Sequence, residues 1–131
     1  MKPILLRACV AAALALTAVP ALAQSDGVTE ITPATSGQQI YAYVCQGCHM
    51  ADARGGTGAA TIPALAGNPR LKNAGYPISM VLHGRGAMPS LTDTLTPAEI
   101  AKVVTYVRTH FGNNYTDPVT EADVTKLASG R

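Results

Sequence analysis

The chain is 131 residues long, 47% hydrophobic and 14% charged, with a formal net charge of +2, no Trp, one Phe and three Cys. This length allows one domain, and the low charge fraction excludes an intrinsically disordered chain. Much of the apolar excess lies in the first two dozen residues, where Lys2 and Arg7 precede a short apolar run and residues 21–23 read A-L-A. A basic start, an apolar stretch and a small-residue cleavage pattern predict a secretory signal peptide at residues 1–23.

Cleavage after this signal changes the charge balance of the chain. It removes Lys2 and Arg7 and no acidic residue, so that basic and acidic side chains balance over residues 24–131. A neutral chain excludes a strongly basic nucleic-acid binder, and we expect no transmembrane segment after signal cleavage, because no later stretch is long and apolar enough. The sequence therefore predicts a small exported domain located in the periplasm.

Helix start and stop signals predict the elements that follow. Ser or Thr before an apolar-periodic run marks helix starts, a capping box opens the longest helix, and glycines mark helix ends and loops. The predicted elements in chain order are a helix at Gln38–Cys45 capped by Thr35 or Ser36, a Gly- and Pro-rich loop at Asp52–Gly75, a short helix at Pro77–His83, a long helix from its cap Thr96 to Gly112, and a tail helix at Glu121–Ala128.

The segment Cys45-Gln46-Gly47-Cys48-His49 carries the most chemical information in the sequence. C-x-x-C-H is the spacing of covalent c-type haem attachment. Two thiols one helical turn apart can bond to the two vinyl groups on one haem edge, and the adjacent His49 then lies under the iron. We therefore expect one haem c, bound through Cys45 and Cys48, with His49 as a metal ligand. A core with so few aromatic residues also agrees with a large buried cofactor.

Three other interpretations of the cysteine pair are weaker. A thioredoxin-like redox pair expects a preceding strand within a βαβ pattern, whereas the residues before Cys45 look helical. A structural zinc site needs a second pair of ligands, and the sequence has no second cysteine pair. A plain disulfide between Cys45 and Cys48 remains the simplest alternative.

A second axial ligand would have to approach the iron from the other face of the haem. Met50 directly follows His49 and is therefore on the wrong side of the ring. Met80 falls in a short apolar stretch, where a methionine of the core is the usual interpretation. His110 lies near a helix end, where a cation complements the helix dipole.

Met88 has a different setting, in the loop Gly84-Arg85-Gly86-Ala87-Met88-Pro89. The glycines let the backbone approach a flat ligand closely, and the following proline holds Met88 in an extended conformation. We therefore expect Met88 as the second metal ligand, with His83 as the alternative for a bis-His site.

Taken together, these motifs resemble those of class I c-type cytochromes over most of residues 36–112. Gly37-x-x-x-Tyr41-x-x-x-Cys45 resembles the first helix of the family, and Pro63-Ala64-Leu65-Ala66-Gly67 resembles its P-x-L-x-G segment. The resemblance implies an all-α fold in which a few helices wrap around one covalently attached haem. It also implies that the first and last helices cross at Gly37, against Tyr106 or Val107.

The resemblance also implies roles for residues around the haem. The Pro63 carbonyl would accept the second ring N–H of His49, which fixes the ring and raises its basicity, and Leu65 would pack on the haem. The propionates need donors, and Arg85 inside the methionine loop is the preferred candidate. Each candidate is more often an ordinary surface residue; the other three are Tyr76, Arg70 and Lys72.

The predicted ligands indicate electron transfer, because iron bound by both His49 and Met88 has no open coordination site and can only pass single electrons. The segment 67–69, the methionine loop and Arg108-x-x-Phe111-Gly112-Asn113 resemble cytochrome modules of bacterial alcohol, gluconate and related dehydrogenases. We expect a non-enzymatic cytochrome subunit or partner of a periplasmic or membrane-associated dehydrogenase, with a downstream cytochrome or terminal oxidase as acceptor. The alternatives are a free-standing diffusible electron carrier and, less favoured, a ligand-binding haem sensor or enzyme.

The predicted organisation has four parts. They are the signal peptide at residues 1–23, an N-terminal extension at 24–35, a cytochrome c domain at 36–114, and a C-terminal tail with a short helix at 115–131. The tail is longer than a minimal carrier requires and is a candidate docking extension.

Overall fold

The computed structural model describes residues 35–58 and 61–130. The predicted signal peptide, and the N-terminal extension as far as residue 34, lie outside the described residues. The elements are α1 (Gly37–Ile40), a π-helical turn (Tyr41–Cys45), α2 (Gln46–His49), β1 (Gly56–Thr57), β2 (Thr61–Ile62), a 3-10 turn (Pro69–Lys72), α3 (Gly75–His83), α4 (Pro97–Thr109) and α5 (Glu121–Ser129).

The first helix begins at a capping box. The Ser36 side chain accepts a hydrogen bond from the Gln39 amide, and the Gln39 side chain accepts one from the Ser36 amide. This confirms the predicted cap and satisfies two amides that a helix start otherwise leaves unpaired. The helical path does not end at Cys45 as predicted. It passes through the π-helical turn, where the Gln46 amide donates to the Tyr41 carbonyl, and continues to His49.

The helix that leads to the cysteine motif crosses α4 at Gly37. A Cβ atom at this position would lie 2.9 Å from the Tyr106 Cβ and 2.9 Å from the Lys102 carbonyl carbon, and closer still to the Lys102 carbonyl oxygen. Only glycine therefore allows the two backbones to approach this closely. The predicted crossing of Gly37 with Tyr106 is confirmed.

The long helix α4 forms the centre of the core. Thr96 and Glu99 make the predicted capping box, and Pro97 occupies the first helical position. Its apolar stripe is buried, as the periodicity predicts: Ile100, Val103, Val104 and Val107 are each less than 9% exposed. The helix ends at Thr109, earlier than predicted, because Phe111 already takes a positive φ of 57°.

The loop predicted at Asp52–Gly75 contains short regular elements, so the described fold is mostly helical rather than all-α. Residues of β1 and β2 pair antiparallel, with Gly56 opposite Ile62, and a 3-10 turn follows at Pro69–Lys72. Strands of two residues are too short to produce the alternation from which a strand is predicted. The short helix α3 also begins two residues before the predicted Pro77.

The C-terminal tail is part of the fold. Its helix α5, predicted at Glu121–Ala128, begins at a Thr120–Asp123 capping box. Val124 is fully buried in the core, where α5 packs against α4 and α3. The inner face of the tail therefore completes the core. None of the helices within residues 35–58 and 61–130 is long and apolar enough to cross a bilayer.

Candidate functional site

A cavity of about 450 Å³ opens between the cysteine motif, the Pro63 loop, α3 and α4. This volume lies within the range of small-molecule and cofactor pockets. All seven residues predicted to bind a cofactor line it, although they come from segments far apart in sequence: Cys45, Cys48, His49, Pro63, Leu65, Arg85 and Met88. The rest of the lining is largely apolar, and includes Leu71, Leu91, Val103, Val104 and Val107.

His49 is held in a defined orientation at this cavity. Its side chain is buried, and Nδ1 lies 3.1 Å from the Pro63 carbonyl oxygen. A carbonyl oxygen only accepts hydrogen bonds, so Nδ1 carries the proton and donates it. Burial lowers the pKa of His49, while the hydrogen bond to Pro63 partly opposes that shift. The neutral ring therefore keeps the lone pair of Nε2 for a metal.

The two cysteines are free thiols, with Cys45 half-buried and Cys48 exposed. Burial raises the pKa of the Cys45 thiol to about 11, and the neighbouring Cys48 adds to the shift. Cysteines of redox-active C-x-x-C pairs have lowered pKa values that maintain a thiolate. The environment of Cys45 is therefore unlike that of a disulfide oxidoreductase.

The structure narrows the candidates for a second axial ligand to two methionines. Met80 on α3 and Met88 both line the cavity and are half-buried. Met50 is 45% exposed and is not part of the lining. His83 is exposed and hydrogen-bonded within its own helix, and His110 lies against Tyr106. The sequence treated Met80 as a core residue, and only its placement on the cavity wall shows that it competes with Met88.

The methionine loop folds back on itself and on the end of α3. Arg85 and Met88 exchange two backbone hydrogen bonds of 2.8 and 3.1 Å. At Gly84, whose φ is 68°, a Cβ atom would lie 2.7 Å from the Pro89 carbonyl carbon and would overlap the Met88 carbonyl oxygen. This glycine is therefore needed for contact between backbone segments, a reason that differs from the close approach to a flat ligand expected from the sequence.

Three of the four candidate donors for carboxylate groups are at the cavity. Arg70, Tyr76 and Arg85 line it, and both arginines are exposed. Lys72 is not part of the lining, and its carbonyl accepts a hydrogen bond from Arg108.

The donor set fits a haem better than a bare metal ion. Within the described parts of the chain, no group of three or more His, Cys, Asp or Glu side chains could hold a metal ion. One imidazole and one thioether are too few ligands for iron, unless a macrocycle supplies the remaining four. Two thiols within one turn of His49, in a largely apolar cavity, supply the attachment points that such a macrocycle needs.

Comparisons with known proteins agree with this site. Residues 32–107 match the family described as cytochrome c oxidase, cbb3-type, subunit III. Over 109 residues the chain is 36% identical to the cytochrome c subunit of quinone alcohol dehydrogenase from Gluconacetobacter polyoxogenes, an alignment that covers 73% of this chain and 23% of that protein. The corresponding subunit from Gluconobacter oxydans (strain 621H) is 33% identical over 125 residues, covering 81% of this chain and 26% of its own length.

A further relative is the fructose dehydrogenase cytochrome subunit of Gluconobacter japonicus, which is 33% identical over 98 residues, or 63% of this chain and 20% of that protein. The chain thus spans less than a third of the length of these relatives. Family and relatives together indicate an electron-transfer, non-catalytic protein. The chain belongs to the cytochrome c family described as cytochrome c oxidase, cbb3-type, subunit III, and this membership implies a haem c cofactor.

Proposed function

We propose that this chain binds one haem covalently through Cys45 and Cys48, with His49 and Met88 as axial ligands, in the manner of a class I cytochrome c. The observation that supports this is the convergence of these four residues on a single cavity. When bound, the haem supplies reversible one-electron exchange at its iron. The helices would then surround the haem, with the buried stripe of α4 forming the apolar floor of its pocket.

Apart from Cys45 and Cys48, which would form the covalent bonds to the haem, the residues of the chain hold and orient the site. Pro63 orients the His49 ring through the hydrogen bond to Nδ1, which also raises the basicity of the ligating nitrogen. The paired backbone of Arg85 and Met88 fixes the methionine loop. The apolar side chains of the lining would limit the access of water, and with His49 and Met88 as ligands the iron would keep no position for a substrate.

We further propose that the protein acts in the periplasm, where it receives electrons from a dehydrogenase and passes them to a downstream cytochrome or terminal oxidase. Three relatives are described as cytochrome subunits of dehydrogenases that oxidise alcohol or fructose. The basic and apolar start of the sequence, typical of a signal peptide, supports export. The mature chain is then a subunit or partner of a dehydrogenase.

Carbon monoxide binding by the reduced protein tests the axial ligands. The unmodified protein should show no spectral change with carbon monoxide, since both axial positions are filled. Met88→Ala should open the iron, bind carbon monoxide and lower the reduction potential, because methionine ligation raises that potential. Met80→Ala is the matched control for carbon monoxide binding, and the reduced variant should still show no spectral change.

Each other result contradicts part of the proposal. If Met80→Ala opens the iron and Met88→Ala does not, Met80 is the ligand. If the unmodified protein binds carbon monoxide, the site has an exchangeable position and belongs to a ligand-binding sensor or enzyme.

Mild purification from the native cells tests the partner. Co-elution at a fixed ratio with a larger flavin-, quinone- or molybdenum-containing dehydrogenase is expected for a subunit. A monohaem protein that elutes alone and still accepts electrons would instead be a free carrier, which contradicts the proposed dehydrogenase complex.

A further inference from the structure

We propose that Asn113 is a positioning residue for the proximal side of the haem, because it anchors the loop whose Pro63 carbonyl orients His49. The inference rests on the proposed haem site. Asn113 lies four residues beyond the end of α4 and is only 6% exposed. It does not line the cavity, so any influence on the haem must pass through the loop that it holds.

Both the amide nitrogen and the amide oxygen of the Asn113 side chain form hydrogen bonds with backbone atoms. Nδ2 donates to the Leu65 carbonyl and to the Val107 carbonyl, both at 2.9 Å, and Oδ1 accepts from the Asn68 amide at 2.9 Å. One amide thus connects the Pro63–Asn68 loop to the last turn of α4. Since a buried amide without partners is costly, this connection selects one position of the loop.

A second set of contacts holds the same loop from its other side. The Leu65 and Ala66 amides both donate to the Ala53 carbonyl, at 2.8 and 2.9 Å. A Cβ atom at Gly55 would lie 2.8 Å from the Pro63 carbonyl oxygen, so the backbones are in close contact there. Pro63 has no amide hydrogen and makes no backbone hydrogen bond as a donor. The position of its carbonyl therefore depends on the hydrogen bonds of the neighbouring residues in the loop. The Asn113 hydrogen bonds connect the loop to α4, and the Gly67 amide adds a backbone hydrogen bond of 3.0 Å to the Phe111 carbonyl.

Loss of the Asn113 side-chain hydrogen bonds should weaken the hydrogen bond between His49 and Pro63. A weaker bond leaves the ring less basic, and a less basic axial ligand stabilises ferric iron less. The reduction potential should therefore shift to a more positive value. The His49 Nδ1 proton should also exchange with solvent faster, because opening of the loop exposes it.

The test uses the haem-loaded full chain with Asn113→Asp and Asn113→Ser. Aspartate keeps the acceptor for the Asn68 amide but removes both donors, whereas serine removes most of the side chain. We expect at least tenfold faster exchange of the His49 Nδ1 proton in both variants, measured by NMR of the reduced protein. The positive shift of the potential is expected in Asn113→Ser, which adds no charge near the haem.

Two control variants separate positioning from general stability. Asn114→Ala changes the same residue type at the exposed neighbouring position and should leave both measurements unchanged. Val124→Ala removes buried volume from the tail helix and should lower the melting temperature without moving the potential. If Val124→Ala shifts the potential as much as Asn113→Ser for an equal loss of stability, the positioning role is refuted.

The unmodified protein provides a measurement that does not depend on the folding of any variant. If Asn113 holds the loop, its Nδ2 protons and the His49 Nδ1 proton should exchange through the same opening event, with the same opening free energy once each rate is divided by the intrinsic exchange rate of its group. Faster, independent exchange of the His49 proton would overturn the inference. Absence of covalent haem from the unmodified protein would instead refute the proposed function, so the two failures are distinguishable.

Discussion

Replacement of Gly37 by alanine should destabilise the domain through the crossing of α1 and α4. The new Cβ would lie 2.9 Å from the Tyr106 Cβ and would overlap the Lys102 carbonyl oxygen, a backbone atom that cannot rotate away. Overpacking of this kind costs up to about 3 kcal/mol. Alanine recovers at most about 1 kcal/mol through its higher helix propensity, because that value applies to helix interiors and Gly37 is the first residue of α1. The net loss in the free energy of unfolding is then roughly 2 kcal/mol.

Thermal unfolding followed by circular dichroism measures this loss. A domain of this size loses about 4–8 °C of melting temperature per kcal/mol, so a fall of roughly 8–16 °C is expected. Gly47→Ala is the matched control, because Gly47 is also helical and a Cβ there meets nothing within 4 Å. That variant should be as stable as the unmodified protein or slightly more stable. If Gly37→Ala is no less stable than Gly47→Ala, the two helices do not require contact between their backbones.

Three further changes test other parts of the structure. Burial, with smaller contributions from nearby negative charges, raises the pKa of Tyr41 to about 12, so its contribution to the free energy of unfolding should be fully present below about pH 10 and decline as the pH rises from 10 to 12. Tyr41→Phe should lose that alkaline decline in urea unfolding, and an unchanged decline would contradict the assignment. The hydrogen bond from Arg108 lowers the pKa of Asp117, so the contribution of Asp117 to stability is present above the usual carboxyl pKa and is lost as the pH falls through the lowered value. Asp117→Asn should be less stable at pH 7 and less sensitive to acid, measured by urea unfolding across pH 2–7. Equal stability at pH 7 would count against the ion pair. Gly84→Ala should displace the methionine loop and remove the absorption band of methionine-ligated ferric iron. Gly86→Ala should retain the band, because Gly86 has a similar positive φ but a Cβ there has no atom within 4 Å. Retention of the band in both variants would refute the role of Gly84.

Features encoded by residues close together in sequence were predictable. The caps at Ser36, Thr96 and Thr120 each join residues three apart, and a capping box is recognisable from that spacing alone. The buried stripe of α4 was equally accessible, because its apolar residues repeat with the helical period. The crossing at Gly37 needed the resemblance to a known family, since a single glycine in a helix has no unique interpretation.

Features that depend on distant residues were not predictable. The sequence places Asn113 in a helix stop and at the end of a segment that resembles dehydrogenase cytochrome modules, but neither pattern shows that its hydrogen bonds reach Leu65 and Asn68, 48 and 45 residues away. Helix-stop signals alone do not distinguish it from the exposed Asn114. Met80 presents the related problem that periodicity identifies an apolar position but not whether that position faces the core or a cofactor cavity.

The stretch from Arg108 onward does not line the cavity, but it supports a part of the cavity wall that lies outside the C-x-x-C-H motif. Arg108 is fully buried, and its guanidinium donates to the carbonyls of Leu71 and Lys72 and pairs with Asp117 in the tail. Leu71 in turn lines the cavity. The Arg108 side chain therefore connects the tail to a residue of the proposed haem environment. Arg108, Asn113 and Asp117 all lie beyond residue 107, where the match to the family ends. The motif residues therefore define the chemistry of the site, and substitutions in this last stretch offer a way to adjust it without changing a ligand.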